Sequence, residues 1–177
     1  MFRRISIAAL VAFTTLVANV QTTSAQTTGN QTFTVVVPTS ISITPPNNAV
    51  QLTHDLTDNP QQFPVQAWVV RGNVRNGVSV EFTAGSPFVN TEDSQSKRDL
   101  QLAVSVGSSQ GPATWSVDVA SDTTNYIDGE DTATVAVSSN GAGRASLNLS
   151  VSFVTEDFGT FANGDYVSTI TGTIAAN

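Results

Sequence analysis

The stretch Ala145-Ser146-Leu147-Asn148-Leu149-Ser150-Val151-Ser152-Phe153 decides the fold. Every second residue is apolar and the residues between are small and polar. A strand turns successive side chains to opposite faces, so this segment offers one face to a core and one to water. A 3.6-residue helical period would scatter the same five apolar residues around an axis. The alternation recurs in Leu100, Leu102, Val104 and Val106, in Val78, Val80 and Phe82, and in Trp115, Val117 and Val119. No segment carries a helical period, and Gln95–Leu100 allows one turn at most.

Turn formers punctuate these runs: Pro45-Pro46-Asn47-Asn48, Asp58-Asn59-Pro60, Asn76-Gly77, Gly85-Ser86-Pro87, Gly111-Pro112, Asp128-Gly129, Asn140-Gly141 and Asn163-Gly164. Gly and Asn accept positive φ, and Pro presets φ for a turn. The spacing predicts about nine strands, near 31–37, 40–44, 50–53, 64–74, 78–84, 99–106, 114–120, 132–138, 145–154 and 165–175, the first two counted as one bent strand. Asn76-Gly77 is the strongest hairpin signal. Short strands with one apolar face, closely punctuated, predict an all-β protein: an antiparallel two-sheet β-sandwich, immunoglobulin-like or jelly-roll-like. The expected core holds Phe33, Val35, Val80, Phe82, Leu102, Val104, Trp115, Val117, Leu147, Leu149, Val151 and Ile170.

Composition agrees. Among 177 residues, 24 are Thr, 19 Ser and 23 Val, and 40% are hydrophobic against 12% charged. β-branched residues suit a pleated surface, and this apolar fraction can build a core. There is no Cys, so no disulfide, thiolate metal site or Cys nucleophile exists. A formal charge of −7 repels phosphate and argues against nucleic acid as a partner.

The amino-terminal segment reads as an address. Arg3 and Arg4 precede an apolar run from Ile5 to Val20, and Thr23-Ser24-Ala25 supplies small residues for a signal peptidase. The run is short for a membrane span, which needs about 20 apolar residues. Residues 1–25 are therefore expected to be a signal peptide and 26–177 a single sandwich domain, secreted, periplasmic or at the cell surface, with no membrane contact after cleavage. Cleavage removes two basic residues and leaves five against 14 acidic ones.

Few residues offer chemistry. His54 is the single histidine, so it alone could serve as the base of a Ser–His–Asp triad. No Gly-x-Ser-x-Gly elbow accompanies it, and a surface His at a strand end is the simpler reading. Glu81, Glu92, Asp93, Glu130, Asp131, Glu156 and Asp157 are the acids from which a hydrolase pair would come. Calcium is the one ion the sequence suits: Asp122, Asp128, Glu130 and Asp131 lie within ten residues and offer hard oxygen ligands, though not at EF-hand spacing. Trp68 and Tyr126 are candidates to stack on sugar rings, with core packing the alternative for Trp68. Asn30-Gln31-Thr32 and Asn148-Leu149-Ser150 match the glycosylation sequon.

The carboxy-terminal segment carries a pattern. In Asn163-Gly164-Asp165-Tyr166, a Gly-x-Tyr entry lets a Tyr fold back over the sandwich end with its hydroxyl on backbone. With Trp115-Ser116-Val117 and Thr169-Ile170-Thr171-Gly172-Thr173-Ile174, this ending resembles secreted bacterial immunoglobulin-like sandwiches of the WxL, spore-coat-U and fimbrial types. The WxL pattern has Leu where this chain has Val117 and a second Trp where it has Gly172. The resemblance implies a cell-surface location and, for WxL domains, binding to cell-wall glycan.

Together these features predict a non-enzymatic structural or adhesive protein of the bacterial surface or extracellular matrix. Self-assembly by strand exchange is its expected mechanism. The exchanged strand would carry Phe33, Val35 and Val37 on one face and Thr32, Thr34 and Val36 on the other. A carbohydrate-binding module for cell-wall glycan is the alternative, and a carboxylate-dependent hydrolase the third.

Overall fold

Alternating Val, Leu and Phe cannot bury their shared face alone, so two sheets stack on one another. This is what the computed structural model shows. It describes residues 26–47 and 49–177, so the signal-peptide expectation for 1–25 lies outside the described residues. The chain divides into two units, Met1–Val36 and Val37–Asn177, and the sandwich belongs to the second.

Thirteen strands occur among the described residues: β1 (Ile41–Thr44), β2 (Gln61–Gln62), β3 (Gln66–Gly72), β4 (Val78–Ala84), β5 (Phe88–Asn90), β6 (Lys97–Arg98), β7 (Leu100–Gln110), β8 (Trp115–Val119), β9 (Ser121–Thr123), β10 (Ala133–Ser139), β11 (Gly143–Phe153), β12 (Tyr166–Val167) and β13 (Ile170–Ala176). One sheet runs β1-β3-β11-β7-β9, with β2 beside the end of β11. A second runs β13-β4-β10-β8, and a small third sheet, β12-β5-β6, caps one end. Every pairing is antiparallel. The all-β sandwich expected from the alternation is therefore the fold.

The connections differ from expectation at an informative point. Asn76-Gly77 does not close a hairpin: β3 lies in the first sheet and β4 in the second. The turn is a corner between sheets. The same holds at Asn140-Gly141, between β10 and β11. From β3 onward the chain alternates between the two large sheets, β3, β7, β9 and β11 in the first and β4, β8, β10 and β13 in the second, the connectivity of a jelly roll rather than of an immunoglobulin sandwich. At Ala120, between β8 and β9, the chain passes from one sheet to the other, and the Ala120 carbonyl accepts from the Val104 amide at 2.9 Å.

The two corners interlock. Gly77 has φ +89°, and a Cβ there would lie 1.8 Å from the Ser139 carbonyl oxygen. The Val78 amide donates to Ser139 Oγ at 3.0 Å, and the Asn177 amide to the Gly77 carbonyl at 3.1 Å. Glycine is required here both for its positive φ and for the close backbone approach.

The core is the inner face of each long strand. Val78, Val80, Phe82 and Ala84 of β4 and Ala133, Val135 and Val137 of β10 pack against Val70, Leu100, Leu102, Val104, Ala145, Leu147 and Leu149. Of the expected core, Trp115, Val151 and Ile170 are half-buried and packed against it. Val117 is 38% exposed because β8 is an edge strand. Phe33 and Val35 are not core: they are 83% and 86% exposed. Residues 31–37 and 50–53 form no strand. The unforeseen β2, β5, β6 and β9 are two or three residues long, too short to display an alternation.

Candidate functional site

His54, the one possible triad base, is held rather than free. The Leu56 amide donates to Nδ1 at 2.9 Å, which places the ring proton on Nε2. Nε2 then donates to Thr155 Oγ1 at 2.9 Å, and that hydroxyl donates to the Asn59 carbonyl at 2.9 Å. The ring stacks on Phe158 and meets Phe153 and Phe161 edge-on. His54 is half-buried and lies in a loop, not on the surface at a strand end. Asp55 beside it accepts from the Thr57 hydroxyl and amide and from Gln61 Nε2. These bonds, the Thr57 hydroxyl first, lower its pKa below the ordinary 3.8.

The aromatic end continues through Phe161, Phe88 and Tyr166. The Tyr166 ring lies edge-on to Phe153 and Phe161, and its hydroxyl donates to the Ala162 carbonyl at 2.9 Å. The folded-back Tyr expected from Asn163-Gly164-Asp165-Tyr166 is thus in place. Arg98, buried at the same end, lies 4.5 Å over the Phe161 ring. It donates to Tyr126 Oη at 2.9 Å and to Thr160 Oγ1 at 2.7 Å. Asp99 accepts from Thr124 Oγ1 and from the Tyr126 amide.

Tyr126 is tied down by these bonds. Its hydroxyl and its amide both serve to anchor the loop, and its ring is half-buried. Trp68 is half-buried too, edge-on to Phe82 at 5.2 Å. Gly172 makes room for it: a Cβ there would lie 2.9 Å from both Trp68 Cζ3 and Ile43 Cδ1. Both rings keep part of their surface in solvent.

The acidic loop does not converge. The Asp122 carboxylate accepts from the Thr123 and Thr134 amides. Asp128 accepts from Asn125 Nδ2, and Asp131 lies 3.9 Å from the Lys97 ammonium. Asp128 and Glu130 line a shallow depression with Glu156 and Asp99. Among the described residues no three His, Cys, Asp or Glu side chains come close enough together to hold a metal ion. The expected calcium set Asp122, Asp128, Glu130 and Asp131 is therefore not assembled: backbone amides hold Asp122, Asn125 holds Asp128, and Asp131 faces Lys97.

Two features remain without partners. The segment Phe33-Thr34-Val35-Val36-Val37 is in no sheet, and Phe33, Val35, Val36 and Val37 are 83%, 86%, 86% and 73% exposed. Among the described residues, β8 pairs with β10 alone and leaves its other edge open. Val117 and Val119 of this edge strand are 38% and 42% exposed, and Trp115 Nε1 is buried without an acceptor among the described residues. At the opposite end of that sheet β13 pairs, among these residues, with β4 alone, and Ile43 and Trp68 lie over the inner face at Gly172.

Sequence reasoning located Tyr166 but missed Arg98 and its aromatic surroundings. A charged residue followed by Asp99 reads as surface, and only the fold brings Phe161, Thr160 and Tyr126 to it. Comparison with protein-family models, with curated proteins and with solved structures found no match to this chain.

Proposed function

We propose that this protein is a secreted, non-enzymatic structural or adhesive subunit of a bacterial surface or extracellular matrix, and that it assembles by strand exchange. One observation carries the reading: a five-residue, β-prone segment, Phe33 to Val37, exposes four large apolar side chains and pairs with no strand. Such a segment gains by adding to a sheet edge, where its backbone finds partners and its alternate side chains are covered. Burial contributes about 25 cal/mol per Å² of apolar surface removed from water. The open edge of β8 in a second copy has the complementary form, since an added strand would cover Val117 and Val119.

The engagement of both His54 nitrogens in backbone and threonine bonds supports a non-catalytic reading. The test is electron microscopy and size-exclusion chromatography of the mature protein. Chains of subunits are expected from the protein carrying residues 26–37, and monomers after their deletion. Val35→Asp with Val37→Asp should also abolish assembly while leaving the melting temperature of the sandwich unchanged. A native protein that stays monomeric at high concentration overturns the mechanism.

A further inference from the structure

Arg71 and Arg144 are directly opposite one another on β3 and β11. Their row continues across the sheet to Ser42 on β1 and Gln110 on β7. The neighbouring Val70 and Ala145 are buried, so the arginines stand on the outer face, and both are exposed. Like charges directly opposite on adjacent strands destabilise the pairing. Here one such pair stands in a chain with few cations to place: five basic residues follow position 25. Lys97 faces Asp131, and Arg98 is buried against Phe161. Among the described residues no carboxylate forms an ion pair with Arg71 or Arg144.

The pair lines a shallow depression together with Gln110, Gly111, Ser40 and Asn73. Asn73 fixes its rim, accepting from the Ser40 amide at 2.6 Å and donating to the Pro38 carbonyl at 2.7 Å. Two guanidinium forks side by side present their donors to a single oxyanion, and an anion between them converts their repulsion into attraction. Beyond the pair the same face carries Thr44, Val69, Ser146 and Ser108 in the next row, then Ala67, Asn148 and Ser105, so hydroxyls and amides flank the small apolar side chains of β3. This is a surface for a ligand that carries a charge at one point and hydroxyls along its length.

We infer that Arg71 and Arg144 form an oxyanion-binding site on the outer face of the larger sheet, and that its ligand is an acidic glycan laid along these rows. The inference does not depend on strand exchange. The oxyanion is a uronic acid carboxylate or a sugar phosphate, and both use the same two forks.

Affinity electrophoresis of the purified protein tests the site, with polygalacturonate, phosphorylated dextran and neutral dextran as probes. Retention by at least one anionic polymer and none by neutral dextran is expected, and the polymer that retains it identifies the oxyanion. Arg71→Gln or Arg144→Gln should weaken retention about tenfold, the loss of a charge-assisted bond. Arg75→Gln removes the same charge off the row and should change it less than about threefold. Without polymer, Arg144→Gln should melt no lower than the parent, because a like-charge pair is relieved. The inference is overturned if neither anionic polymer retains the protein, if neutral dextran retains it equally, or if Arg75→Gln weakens retention as much as Arg144→Gln.

Discussion

At the scale of single residues, the structure turns on close approaches that only small side chains permit. Gly77 is the strictest. Gly77→Ala places a methyl group against the Ser139 carbonyl at a positive φ, and should cost about 3 kcal/mol or more in a urea melt. Phe82→Ala empties a fully buried site shared by β3, β4 and β13 and should cost about 3–5 kcal/mol. Tyr166→Phe keeps the ring and loses one hydroxyl bond, so a loss near 1 kcal/mol is expected. Asp55 gives a pH dependence of definite sign. Its folded pKa lies below 3.8, so the order it lends its loop is present above that value and fades as pH falls through the lowered one. Protection of the Thr57 amide, its exchange relative to the intrinsic rate at each pH, should fall in that acid range, and in Asp55→Asn that protection should not change there.

At the scale of elements, legibility followed the length of the alternation. β4 runs from Val78 to Ala84, the span that Val78, Val80 and Phe82 mark in the sequence. β11 was legible for the same reason. β5 and β6 were not: Phe88–Asn90 and Lys97–Arg98 are too short to show a period, and tertiary contacts through Arg98 and Tyr166 hold that end together. Asn76-Gly77 correctly marked a reversal, but turn chemistry does not say whether the next strand returns beside the first or crosses to the other sheet. The sites divide likewise. Tyr166 was readable because its motif is local. Arg71 and Arg144 were not readable as a pair, since only the register of β3 against β11 brings them together. The acidic loop shows the converse, a local cluster that the fold disperses. Chelator should therefore leave the melting temperature unchanged, and a drop would restore a metal to that loop.

At the scale of the whole molecule, the connectivity has a consequence in time. β11 is the centre of the larger sheet, between β3 and β7, and β10 lies between β4 and β8. Both belong to the last third of the chain. Until they exist, the pairs available are β1 with β3, β5 with β6, and β7 with β9. Contacts between segments so distant in sequence are slow to form, because loop closure must precede the gain from pairing. The polypeptide should thus remain without its sandwich through most of its synthesis, and a chain ending at Gly129 should be digested by protease under conditions where the full chain resists. A protein that must be exported before it folds would draw advantage from that delay. The order of strands in space, set against their order along the chain, works as a clock.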